Sequence, residues 1–179
     1  MKFPKLHLAC DVNALRPVMA CVCVGKEFTF ASDAHILVRH KTSEIFKDYF
    51  VNSLPEHSIL IPSKAVALIC KTATAKVSLT EDKKQIQLHQ MDGSVIIYRL
   101  FEGSYPDANS IIPDPKNLMP INEISISSHL LSVLTDAMDC PISILHLRFF
   151  SKTQAIYVTS TYSNYHSVVG IIMPTMINE

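Results

Sequence analysis

Glycine is scarce in this chain: only Gly25, Gly93, Gly103 and Gly170 occur in 179 residues, and no two sit close enough to build the backbone cradle of a Rossmann or P-loop phosphate site. Nucleotide chemistry by those routes is excluded. No apolar run approaches the ~18 residues needed to cross a bilayer, and the opening MKFPKLHLACDV lacks the apolar stretch of a signal peptide. The expectation is a cytoplasmic protein with no membrane partner. Charge of one sign is lacking too. Sixteen Lys and Arg balance sixteen Asp and Glu, so any DNA contact has to come from local clustering. The five cysteines are an odd number and lie in or beside apolar segments, as reduced buried thiols do, so no disulfide framework is expected. What the chain has in quantity is core material. With 48% hydrophobic and 18% charged residues it can fill one compact domain or two small ones.

The strongest internal signal is a repeat, seen when residues 59 to 100 are laid over residues 124 to 173. In the first copy Ile59 and Ile61 alternate as a strand, and Ala65, Leu68, Ile69 and Thr72 then fall at helical spacing. In the second copy Ile124 and Ile126 alternate, and Leu130, Val133, Leu134 and Ala137 repeat the stripe. Ser63 and Ser128 stand where a hydroxyl could cap each helix. Val77 and Leu79 then match Ile142 and Ile144, Ile86 and Leu88 match Ile156 and Val158, and Ser94-Val95-Ile96-Ile97 matches Ser167-Val168-Val169-Gly170. Each unit therefore reads as one strand, one helix and three strands. The first fifty residues carry part of this pattern: strands near Leu6 to Leu8, Val18 to Val24, Phe28 to Phe30 and Ile36 to Val38, with the helix missing or reduced to a turn because Pro17 blocks it. Residues 41 to 57 read as a polar surface loop, and the prolines from Pro106 to Pro120 as a linker or crossover.

Particular words in this frame resemble the bacterial sliding clamp, the beta subunit of DNA polymerase III, over nearly the whole chain. Arg16-Pro17-Val18-Met19 and Ala31-Ser32-Asp33-Ala34-His35-Ile36-Leu37 resemble that family's R-P-hydrophobic stretch and its T-D-G-H-R-L segment. Ile61-Pro62-Ser63-Lys64-Ala65 is similar to V-P-R-K-A, Phe101-Glu102-Gly103-Ser104-Tyr105-Pro106-Asp107 to D-G-x-F-P-D-Y with Ile112-Pro113 closing the segment, and Ile171-Ile172-Met173-Pro174 to V-V-M-P. Ala34 stands for the family glycine, Ile36 for its arginine, Ala108 for its tyrosine, and Thr175-Met176 for its Met-Arg pair, departures that bear on partner specificity. The resemblance implies an α+β, DNA-clamp-like fold of antiparallel sheets with helices on one face. It also implies a division into residues 1–113, a two-unit domain whose first unit lacks its helix, and residues 114–179, a third unit forming a half-domain. A half-domain leaves apolar surface uncovered, at roughly 25 cal/mol per Å². Self-association, or unusual packing on the other two units, is expected to cover it.

Function follows the same resemblance: a non-catalytic processivity or tethering factor of DNA replication. Ser128-His129 and Tyr165-His166-Ser167 put nucleophiles beside histidines, but neighbours in sequence point in different directions, so no catalytic residue is assigned. Cys21 and Cys23 share one side of a strand without a second ligand pair, and are read as core thiols; neither a metal nor a cofactor is expected. Lys64 and Lys71 fall on one flank of a helix, with Lys76 beyond its end, and are the candidate contacts to phosphates of double-stranded DNA, bound without sequence preference. The repeat sets Asp136 at the place of Lys71, which weakens that face, and an ordinary solvated surface remains the alternative. The family holds short peptide motifs of replication and repair proteins in an apolar cleft; carried over, its lining is His35, Leu37, Pro106, Ile111, Ile171, Ile172, Met173 and Pro174. Ile171 and Met173 are expected to share that cleft only if the last strand twists or bulges. The alternative function is an interaction module that keeps the cleft without encircling DNA.

Overall fold

The computed structural model describes residues 3–11, 15–72, 74–113, 124–140, 144–161 and 167–175. The first unit is a meander of β1 (Cys21–Val24), β2 (Phe28–Ser32) and β3 (Ile36–Lys41), followed by short helices α1 (Thr42–Ile45) and α2 (Asp48–Ser53). The second unit is β4 (Ile59–Pro62), α3 (Ser63–Lys71), β5 (Thr74–Leu79), β6 (Gln85–Gln90) and β7 (Val95–Arg99). The third is α4 (Ser128–Ala137), β8 (Leu145–Arg148), β9 (Ile156–Ser160) and β10 (Val169–Ile172). Every neighbouring pair of strands is antiparallel. Seven strands form one sheet in the order β4-β1-β2-β3-β10-β9-β8, and β5-β6-β7 form a second.

Alternation builds this α+β arrangement. Val22, Val24, Ile36, Val38, Ile59, Ile61, Ile156, Val158 and Ile172 point to one face of the large sheet and join the core beneath α3 and α4. Cys21, Cys23, Phe30, Leu37, Leu60, Val169 and Ile171 point to the other, where Tyr105, Ala108 and Ile112 cover them. The third unit continues the sheet of the first: β10 lies against β3 from Val169 opposite Arg39 to Ile172 opposite Ile36. At Gly170 the helix sits so close that a Cβ would collide with Met138 Sδ and lie 3.1 Å from Leu134.

Several local expectations give way to packing. Leu6 to Leu8 is not a strand but part of a 3-10 turn, Leu6–Ala9, because a spacing of three lets Leu6 and Ala9 bury together. That turn packs against both α3 and α4. Val18 belongs to a second 3-10 turn, Pro17–Ala20, so β1 starts only at Cys21. Residues 41–57 are not a polar loop: Ile45, Phe46, Phe50 and Leu54 are buried, with Phe46 and Phe50 stacked at 4.4 Å. Pro62 rather than Ser63 precedes α3, without a side-chain cap, and Ser127 rather than Ser128 caps α4 by accepting the Leu130 N–H at 3.4 Å. In β8 the core-facing pair is Leu145 and Leu147, while Ile144 is 64% exposed. Ile124 and Ile126 enter no ladder among the described residues. Ile142, Pro115, Pro120, Tyr165, His166 and Met176 lie outside the described residues.

Candidate functional site

Where β3 meets β10, an open groove of about 530 Å³ forms on the face of the sheet away from the helices. One wall is the β2–β3 turn. Asp33 Oδ1 accepts the His35 and Ile36 N–H groups, both at 2.8 Å, and Ser32 Oγ donates to the Ile36 carbonyl at 2.7 Å while accepting the Ala34 N–H at 3.1 Å. These bonds hold Ala34 at φ +76°, a left-handed conformation that favours glycine. Ile171 supplies the floor beside Leu37, its cross-strand partner. Met173 donates its N–H to the His35 carbonyl at 2.9 Å, which carries the pairing one residue past β10.

The far wall comes from two other parts of the chain. Asp107 Oδ1 accepts the Asn109 N–H at 3.1 Å and starts the short 3-10 turn Asn109–Ile111, which presents Ile111 at 49% exposure beside Pro106. Leu15, Arg16 and Met19 close the end, the last held by its N–H to the Arg16 carbonyl at 2.9 Å. The groove thus offers apolar floor and walls, with Asp11, Asp33, Arg16 and His35 at its rim.

Six of the eight residues carried over from the resemblance come together here: His35, Leu37, Pro106, Ile111, Ile171 and Met173. Ile172 does not. Alternation turns it to the helix face, where it is fully buried among the core, and Pro174 also lies outside the lining. Ile171 and Met173 are two apart and share the groove by simple alternation, with no bulge needed. Sequence reasoning missed Asp11, Leu15 and Met19; the Arg16-Pro17 word was the signal that this stretch borders the site.

The helix face is less concentrated. Lys64 and Lys71 are exposed on α3, whereas Lys76 lies on β5 with its Nζ 5.3 Å from the Tyr49 ring and is not part of that row. On α4, Asp136 pairs with Lys5 at 3.4 Å across the 3-10 turn. Burial pushes the Cys10 thiol up to about 12 and the Cys21 thiol to about 11, so neither is a ready nucleophile. Among the described residues no group of three His, Cys, Asp or Glu is placed to hold a metal, and no helix is long and apolar enough to cross a membrane.

No protein-family model matches the sequence, and no curated protein does. Solved structures do match. The Helicobacter pylori beta clamp in complex with diflunisal aligns with a TM-score of 0.69 over 97% of this chain and 62% of that one, at 12% identity. The DNA polymerase III beta chain of Streptococcus pneumoniae gives 0.68 over 96% and 60%, at 15% identity. The fold is that of the bacterial sliding clamp. The Helicobacter pylori beta clamp bound to a DNA ligase peptide aligns similarly, at 0.68 over 98% and 64% with 11% identity. The chain therefore spans less than two thirds of the length of these clamps.

Proposed function

We propose that this chain is a non-catalytic, sliding-clamp-like replication protein that captures short linear peptides of partner proteins in the β3–β10 groove. The observation that carries this reading is convergence: segments around Arg16, His35, Ile111 and Met173, distant in sequence, build one apolar groove of a size suited to two or three large side chains. A structurally similar clamp binds a DNA ligase peptide, which supports the same ligand class for this groove. Leu or Phe anchors of the peptide would bury against Leu37, Ile171 and Met173.

Calorimetry with a clamp-motif peptide tests it. Wild type should bind in the micromolar range, and Met173→Ala should weaken binding at least fivefold, since truncating a central anchor contact costs more than ~1 kcal/mol. Leu37→Ala is the poorer probe, because Leu37 is only 2% exposed and its truncation also costs stability. No heat from wild type at high micromolar peptide sinks the reading.

The tether to double-stranded DNA runs through Lys64 and Lys71 on α3, which would meet phosphates without reading bases. Changing both to Glu should weaken binding and flatten its salt dependence. A second reading, a peptide-binding module that does not encircle DNA, is favoured by one observation: the acid Asp136 on α4 neutralises Lys5 on the same face. Unchanged affinity of the Lys64→Glu, Lys71→Glu protein at low salt would decide for that module.

A further inference from the structure

We propose that the cavity between the short helices α1 and α2, the end of α3 and strand β5 binds an anionic amphiphile: one medium-length acyl chain that fills the cavity, and one carboxylate that stays at its mouth. The cavity measures about 360 Å³, a size at which small-molecule sites begin. Its aromatic and aliphatic lining belongs to the core on the helix side of the large sheet, whereas the β3–β10 groove lies on the opposite face. The two sites are therefore separate, and this one stands whether or not the groove binds a peptide.

One wall is aromatic. Phe46 and Phe50 stack at 4.4 Å with their planes 21° apart, and Phe3 meets the Phe46 ring edge-on at 5.2 Å. All three rings line the cavity, and Ile69 of α3 and Val77 of β5 continue its apolar surface. Rings locked against one another in this way give a preformed surface, so a ligand pays little to order it.

Across the cavity, β5 carries an irregularity. Thr74 stands opposite Gln90 and Lys76 opposite His89, which leaves Ala75 as an extra residue, and a bulge of this kind bends its strand. The side chains at the bend are small, and their polar groups are occupied. Thr72 Oγ1 donates to the Leu68 carbonyl at 2.8 Å, so in its 3.0 Å contact with Thr74 the Thr74 hydroxyl is the donor. Thr74 Oγ1 in turn accepts the Gln90 side-chain N–H at 3.2 Å. Both hydroxyl protons of this wall are thus committed within the protein, and neither is left for a polar group of a ligand. An apolar chain loses nothing by entering such a space, whereas a polar head group would lose its water.

The mouth sets the sign of the head group. Lys47 and Lys76 are the charged residues of the lining; both are exposed, and no Asp or Glu joins them. Among the described residues neither ammonium forms an ion pair. Lys76 Nζ lies 5.3 Å from the centre of the Tyr49 ring, which keeps it beside α2 instead of in the row of Lys64 and Lys71. Two unpaired cations at the opening of an apolar cavity match a carboxylate that keeps part of its hydration. Met91 also lines the cavity and is 74% exposed, an apolar side chain that a bound acyl chain would shield from water.

Methionine-methyl NMR on the full chain, titrated with sodium decanoate, tests the proposal, because Met91 reports this cavity while Met19 and Met173 report the groove. The Met91 signal should shift and saturate with a Kd of about 100 μM, reasonable for a ligand of this size, while those of Met19 and Met173 stay in place. Acetate should move none of them, and 1-decanol should bind Met91's site about fivefold more weakly than decanoate, the difference being the ammonium contacts. The Lys47→Gln, Lys76→Gln double variant changes exposed positions only, and should bind decanoate as weakly as decanol. No saturable shift of Met91 at millimolar decanoate overturns the proposal, as do shifts confined to Met19 and Met173. Equal affinity of wild type for decanoate and decanol, or a preference for decanoate that survives in the double variant, overturns it as well.

Discussion

Units two and three begin from one sequence pattern and end in different surroundings. Ile59 and Ile61 become β4 because β1 lies beside them, whereas Ile124 and Ile126, with the same spacing and the same backbone bond on their far side, join no strand among the described residues. Alternation of apolar residues records a two-sided environment, but a neighbouring edge is what turns it into a strand. The helices differ in the opposite direction. Helix α4 is seated more tightly than α3: Leu134 is fully buried and stands close to Gly170, while its counterpart Ile69 keeps 8% of its surface.

That contrast gives the largest expected effect. Leu134→Ala removes a buried side chain from a contact that can relax little, and should cost about 4 kcal/mol in urea unfolding. Ile69→Ala should cost about 2 to 3 kcal/mol, because its site opens toward the space beneath β5. Equal losses at both positions would mean that the third unit is no more tightly packed than the second.

The seam between units one and three adds a pH dependence of its own. His40 lies fully buried on the core face of β3, near the Ala137 carbonyl and the Asp139 carboxylate at the end of α4. Burial is the dominant influence and lowers its pKa from 6.5 to about 4, against the smaller raising effects of those two groups. Above pH 6.5 the imidazole is neutral in both states and stability is unaffected. As pH falls from 6.5 toward 4, only the unfolded chain takes the proton, so stability drops by up to about 3 kcal/mol. Urea midpoints between pH 7 and 4 should record the fall for wild type, with a shallower fall for His40→Gln. Parallel slopes for the two proteins would place the acid sensitivity elsewhere.

Much of this was legible because it is periodic. The α3 and α4 stripes, the β6 and β9 alternations and the words around His35 and Met173 each depend on local spacing, and the structure keeps the spacing. What was not legible depends on partners far along the chain. Leu6-His7-Leu8 alternates like a strand, yet the space between α3 and α4 suits a 3-10 turn that buries Leu6 with Ala9. Residues 41–57 look polar on average, yet Phe46 and Phe50 stack into the core. In the groove, alternation alone assigns Ile171 and Met173 to one side and Ile172 to the core, so a carried-over block of four residues overstates the lining by Ile172 and by Pro174. Asp11, Leu15 and Met19 reach the groove through the turn that precedes β1, for which the Arg16-Pro17 word is a signal but apolar periodicity is not.

The smallest effect compares the turns of units one and two. Both use a left-handed residue, Ala34 at φ +76° between β2 and β3, and Gly93 at φ +85° between β6 and β7. An L side chain in that conformation brings Cβ close to the following backbone, at a cost of roughly 1 kcal/mol, which a glycine avoids. Three side-chain hydrogen bonds, two into Asp33 and one into Ser32, hold Ala34 in place despite that cost. Ala34→Gly should therefore raise stability by about 0.5 kcal/mol, the relief of strain being partly offset by the extra freedom glycine brings to the unfolded chain. Gly93→Ala should lower it by a similar amount, since its added methyl meets no atom within 4 Å and the conformation alone is penalised. Ala34 also lines the groove, so the same substitution removes an apolar contact from its wall. A gain in the urea midpoint together with a loss of up to twofold in peptide affinity is the expected pair of results. If stability and affinity rise together, the Ala34 methyl obstructs the groove instead of lining it.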